Sequence, residues 1–205
     1  MLPLPEVSHL QRDRDGPRAV TEGAPAGMET PRVVNTRDVF DGRLIQVRVD
    51  TLRREDGTSF DREVVTYGQA VVLVPVDADR RVLLVRQYRH AVGAWLLELP
   101  AGGIDDRDPS PEAAALRELR EETGHRGTLA PIGGMFLAPG YSNEYQYVFA
   151  AHDLVEDALE ADEDEDLALE RRTLDEALAA IDAGEIRDAK SITGLLMYLR
   201  YMRKR

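Results

Sequence analysis

The sequence predicts a layered domain of mixed strands and helices, α/β or α+β in class. Short apolar, β-branched runs bounded by turn signals recur through the first two thirds of the chain. One helical stretch, Pro111 to Thr123, sits among them with clear start and stop residues. Two further stretches with apolar residues at i, i+3, i+4 and i+7 close the chain. Strands with a few interspersed helices bury their apolar faces against one another in layers.

Residues 1 to about 32 read as a flexible tail, broken by Pro3, Pro5, Pro17, Pro25 and Pro31 and lacking a period of 2 or 3.6. In Leu44 to Asp50, apolar Ile45, Val47 and Val49 alternate with polar neighbours, which predicts a half-buried strand. Asp56-Gly57 is a hairpin turn signal, and Arg62 to Thr66 is the returning strand. Ala70 to Val76 and Val82 to Val85 are continuous apolar runs, expected as buried strands joined by a polar turn. Leu96 to Leu99 is another short strand, ended by Pro100-Ala101-Gly102-Gly103. Pro111 suits the first turn of a helix and Gly124 its end. Tyr145, Tyr147 and Phe149 alternate as a strand. From Glu156 to Glu170 there are nine acidic residues and no basic one, which reads as a solvated loop. Thr173 to Glu176 is a capping box that opens a helix through Ile181, and Ile192, Leu195, Leu196 and Leu199 mark the last helix.

Composition narrows the function. The chain has 205 residues, 26 basic and 38 acidic, for a net charge of −12. Such a surface opposes phosphate backbones and argues against a nucleic-acid binder. Without cysteine, disulfides, thiolate nucleophiles and Cys-ligated metals are excluded, consistent with a cytoplasmic protein. No apolar run is long enough for a membrane-spanning helix. The GxSxG, GxxxxGK[ST] and GxGxxG signatures are absent, and the four histidines show no metal-ligand spacing.

The informative stretch is Arg117-Glu118-Leu119-Arg120-Glu121-Glu122-Thr123-Gly124. On a helix, Glu118, Glu121 and Glu122 fall on roughly one face, where like charges repel. Arg117 and Arg120 compensate only in part. A hard divalent cation takes such oxygen ligands and bridges them to substrate phosphates.

Together with Gly103, with 13 residues between it and Arg117, this stretch resembles the box of the Nudix hydrolases. Gly103, Arg117, Glu118, Leu119, Glu121, Glu122 and Gly124 match in register. The first box glutamate falls instead on Pro109, with Asp108 just before it, and the final aliphatic position falls on His125. The resemblance runs over roughly residues 36 to 200. It implies an α/β/α sandwich with a mixed sheet, preceded by an N-terminal antiparallel strand pair. The Nudix domain would run from 33 to 205, with the strands in 33–67 used in a homodimer. It also implies metal-dependent hydrolysis, with Mg²⁺ or Mn²⁺ held by Glu118, Glu121, Glu122 and the backbone carbonyl of Ala101.

Leu99 to Gly103, Val85 to His90 and Ala138 to Glu144 further resemble the ADP-ribose pyrophosphatase group. By that resemblance, Arg89 would contact substrate phosphate and Glu98 would lie near it. Pro139, Ser142 and Glu144 would line a substrate loop, and Arg62 would reach the substrate as well. The water-activating base would be Glu163 or Glu165, with Glu121 also among the catalytic candidates. Phe40, Phe60 and Tyr67 are candidates to stack on adenine. The substrate implied is ADP-ribose, cleaved to AMP and ribose 5-phosphate. GDP-mannose or another nucleotide sugar is the alternative, and a non-catalytic ADP-ribose sensor is a third.

Overall fold

A computed structural model describes residues 25–159 and 167–204. They divide into two compact units. The first holds the described residues up to Gln69 together with Phe136–Tyr145. Its sheet has three antiparallel strands in the order β1 (Arg32–Asp41), β2 (Gln46–Arg53) and β3 (Ser59–Thr66). The expected strand pair is present as β2 and β3, and β1 adds a third strand that begins where the tail was expected to end. Every residue of β1 is exposed, so its sequence carries no alternating burial signal. Gly57 turns β2 into β3 with φ +88°, and the Thr58 N–H donates to Asp56 Oδ1 at 2.8 Å. Buried Asp50 accepts from Thr36 Oγ1 and Arg48 Nε, as a buried carboxylate requires.

The second unit carries two sheets, ordered β10-β5-β6 and β7-β4-β9-β8. Strand β4 (Gln69–Pro75) is buried along nearly its whole length, and β5 (Arg81–Arg89) is buried through Val82 to Val85. They are followed by β6 (Ala94–Glu98), β7 (Ala101–Gly103), β8 (His125–Phe136), β9 (Tyr145–Glu156) and β10 (Leu167–Thr173). Helix α1 (Pro111–Thr123) matches its sequence limits, with Ser110 Oγ as N-cap and Gly124 left-handed at the C-cap. Helices α2 (Leu174–Asp182) and α3 (Ala189–Met202) pack through Ala177, Ala180, Leu195 and Tyr198 onto one set of strand residues, among them Val72, Val74, Leu84 and Val148. The alternate strand residues, including Val71, Leu73, Leu83 and Phe149, are also buried. By strand alternation they face the layer that carries Ala114, Ala115 and Leu119 of α1. This is an α/β/α sandwich.

The acidic stretch needs correcting. Glu156 ends β9, and Leu167–Glu170 form β10, antiparallel to β5. Glu170 is not a solvated loop acid: Arg86 Nε and Arg172 Nη2 both donate to it. Among the described residues, no helix is long and apolar enough to cross a membrane.

Candidate active site on helix α1

Helix α1 presents Ala114, Ala115, Glu118, Leu119 and Glu122 as its buried face. Two carboxylates thus share a face with core residues, a costly arrangement unless they are bonded. They are. Arg117 Nη1 donates to Glu118 Oε1 at 2.7 Å and to Glu121 Oε2 at 2.8 Å. The Ala101 N–H donates to Glu122 Oε2 at 3.2 Å. A Cβ added at Gly102 would overlap the Glu118 carboxylate, so glycine at this position makes room for it.

Arg117 is held from the other side. Its Nε and Nη2 reach Asp108 Oδ1 and Oδ2 at 3.2 and 2.9 Å, and Nη2 also donates to the Gly103 carbonyl at 2.9 Å. The Asp108 bond is the main reason that the guanidinium pKa is raised, with burial opposing it and Glu118 and Glu121 adding to it. Asp108 is buried whereas Pro109 is exposed. The carboxylate that orients Arg117 therefore sits one residue before the expected position. A short turn makes this possible: Asp108 N–H donates to the Asp105 carbonyl, and Asp105 N–H donates to Asp108 Oδ2, both at 3.1 Å. At the other departure from the box pattern, His125 starts β8 and its Nδ1 lies 2.6 Å from the Thr123 carbonyl.

The donor set is all oxygen, which suits a hard divalent cation. One guanidinium faces three carboxylates, those of Asp108, Glu118 and Glu121. Yet among the described residues no three acidic or histidine side chains are arranged as a metal cage. Arg117 and the Ala101 N–H engage oxygens that a cation would take. The residues fit the ion in chemistry.

Arg89 and Glu98, the candidate phosphate-binding residues, pair directly at the ends of β5 and β6. Arg89 Nη2 lies 2.6 Å from Glu98 Oε2, and Nε reaches both carboxylate oxygens. Glu98 is 1% exposed. Burial pushes its pKa up, but Arg89 and Lys190 together overcome this and hold it below the usual value. Lys190 is not among the candidates that the sequence indicates, although it lies within the 36–200 span of the resemblance. Its Nζ lies 2.6 Å from Glu98 Oε2.

The remaining candidates belong to the first unit or fall outside the described residues. Arg62, Pro139, Ser142 and Glu144 belong to the first unit. Arg62 stacks over Phe60 at 4.6 Å. Pro139 and Gly140 form a turn in which Ser142 N–H donates to the Ala138 carbonyl, and Ser142 Oγ accepts from Glu144 N–H. Phe40 is 55% exposed and so is not a core residue of that unit. Glu163 and Glu165 lie outside the described residues.

Comparison with known proteins identifies the family. The NUDIX domain profile matches residues 66–194. The chain is 32% identical over 163 residues to the ADP-ribose pyrophosphatase of Bacillus subtilis strain 168, covering 78% of this chain and 88% of that one. It is 34% identical over 166 residues to the ADP-ribose pyrophosphatase of Mycobacterium tuberculosis, covering 80% of each. A crystal structure described as an ADP compounds hydrolase superposes with a TM-score of 0.80 at 26% identity, over 88% of this chain and 98% of the other. With the box residues in register on α1 and the profile spanning most of the chain, the protein belongs to the Nudix family.

Proposed function

We propose that this protein hydrolyses the pyrophosphate bond of ADP-ribose, adding water to give AMP and ribose 5-phosphate. The observation that carries the reading is the oriented Arg117–Glu118–Glu121 cluster, in a chain sharing 32% identity over 163 residues with an ADP-ribose pyrophosphatase. Hydrolases of this family generally depend on a divalent metal. Glu118, Glu121, Glu122 and the Ala101 carbonyl would hold Mg²⁺ or Mn²⁺. When bound, such an ion supplies positive charge that screens the pyrophosphate and polarises its P–O bonds.

The chain's own residues supply the rest. Arg89 offers a planar guanidinium, suited to bind a phosphate bidentately. Glu163 or Glu165 orients the attacking water and accepts its proton. Ser142 and Glu144, with Pro139, line the substrate loop, and Arg62 reaches the substrate from β3. We assign the Nudix domain to residues 33–205 and a homodimer to the strands in 33–67. The exposed Val33, Val39 and Phe40 of β1 support that assignment.

A hydrolysis panel with Mg²⁺ tests the reading: ADP-ribose, GDP-mannose, UDP-glucose, NADH and diadenosine polyphosphates. ADP-ribose should lead, with AMP as product, and chelation should abolish turnover. A lead by GDP-mannose would replace the substrate but keep the metal residues. Binding of ADP-ribose without turnover would favour the sensor. Glu122→Gln should lower turnover by orders of magnitude without unfolding the protein. Full activity in Glu163→Gln would move the base to Glu165 or elsewhere.

A further inference from the structure

Lys190 is the one buried lysine or arginine among the described residues. Burying an ammonium is unfavourable, and an apolar chain of similar length would fill the space at lower cost. Its position explains what the charge does. Nζ lies 2.6 Å from Glu98 Oε2 and 3.1 Å from Asp188 Oδ2, in the first turn of α3. The same Glu98 oxygen accepts from Arg89 Nη2 at 2.6 Å. Asp188 caps α3 by accepting from the Ser191 N–H. Ser191 Oγ in turn accepts from the buried Leu99 N–H at 2.7 Å. The first turn of α3 therefore grips both Glu98 and the residue after it.

We propose that Lys190 is a positioning residue for substrate binding, fixing Glu98 so that Glu98 orients the Arg89 guanidinium toward a phosphate group. This rests on the reading of Arg89 as a pyrophosphate ligand. The electrostatic reason is competition. With Lys190 in place, the Glu98 charge is shared between two cations. Without it, Arg89 is the one lysine or arginine among the described residues left paired with the buried carboxylate, and an incoming phosphate must compete with that full charge for the same guanidinium.

A double-mutant cycle on the full-length protein separates this role from simple damage to the fold. Lys190→Met should lower kcat/KM for ADP-ribose about tenfold, the scale on which outer-layer partners act. The loss should appear mainly in KM, and Lys190→Arg should restore much of it. In the Arg89→Ala background, Lys190→Met should cost less than about twofold, because the residue it acts through is gone. An equal loss in both backgrounds, or none in either, overturns the proposal.

A second measurement needs no substrate. The Arg89 Nε–H resonance, assigned by its disappearance in Arg89→Ala, should shift or broaden in Lys190→Gln and stay near its native position in Lys190→Arg. An unchanged resonance in Lys190→Gln overturns the proposal. If the wild-type protein turns over no ADP-ribose, the functional reading fails, while this resonance still decides whether Lys190 controls Arg89.

Discussion

Removing the negative charge of Asp108 tests the claim that the Arg117 brace has moved one residue from its expected place. Asp108→Asn keeps the volume and one acceptor oxygen, but it sets an amide NH₂ group against a guanidinium that only donates. Asp108 is 6% exposed and accepts from Arg117 at 2.9 and 3.2 Å. Breaking a buried pair by removing one partner costs about 3–5 kcal/mol. The lower end applies here, about 3 kcal/mol, because Arg117 keeps Glu118, Glu121 and the Gly103 carbonyl. At about 2–4 °C per kcal/mol for a chain of this size, Tm should fall by about 6–12 °C. Activity should suffer separately. An Arg117 released from Asp108 has Glu118 and Glu121 as its remaining carboxylates and competes with a cation for them. The Mg²⁺ concentration for half-maximal turnover should therefore rise about tenfold. Calorimetry and a Mg²⁺ titration of turnover read both effects. Adding Pro109→Glu to Asp108→Ala should return part of each loss, since it restores a carboxylate at the usual box position. Asp108→Asn with Tm within about 1 °C of wild type and an unchanged Mg²⁺ requirement would refute the reasoning.

Two further predictions follow from the same geometry. Gly102→Ala puts a Cβ into the Glu118 carboxylate, which is the far end of a flexible chain and can swing aside. Stability should drop by only about 1 kcal/mol, while displacement of a reacting-site group should lower turnover about a hundredfold, measured by calorimetry and steady-state kinetics on one sample. Glu98 has its carboxyl held below 4.5 despite burial, because Arg89 and Lys190 favour the ionised form. Its contribution to stability is present above about pH 4.5 and is lost as pH falls through the depressed folded value. Glu98→Gln should therefore flatten the pH dependence of the urea midpoint below pH 4.5; an unchanged slope would remove Glu98 from the acid transition.

Legibility in the sequence tracked how local each signal is. Helix α1 was readable to its end residues because Pro111 and Gly124 act within one turn of it. Strand β4 was readable because burial on both faces leaves a continuous apolar run. Strand β8 was not, since Gly127, Pro131, Gly133 and Gly134 break its pattern, and its place beside β9 is not a local signal. Strand β10 was hidden by its acidic neighbourhood, because the Arg86 that compensates Glu170 lies 84 residues away. The site divided in the same way. The box residues fall within one helix and announced themselves. The bond between Lys190 and Glu98 spans 92 residues, and nothing near either residue indicates the other. Asp108 was visible, but its role was not, because a one-residue shift is decided by the turn at Asp105.

These contacts share a consequence for the segment from Glu98 to Asp108. Lys190 and Ser191 hold its first two residues from α3. The Ala101 N–H reaches Glu122, Gly102 abuts Glu118, and Arg117 takes both the Gly103 carbonyl and Asp108. This stretch, which includes β7 paired with β4, is thus also tied to two helices by bonds that are mostly to side chains. Such bonds protect an amide only while the accepting side chain stays in place. The Leu99 and Ala101 amides should therefore exchange slowly in the native protein, although their acceptors are the hydroxyl of Ser191 and the carboxylate of Glu122. Glu122→Ala should speed exchange at Ala101 by about tenfold or more, the kinetic equivalent of one lost hydrogen bond to a charged group. Leu99, held from α3, should remain protected. Equal acceleration at both amides would mean that the segment opens as one unit and that its two anchors do not act independently.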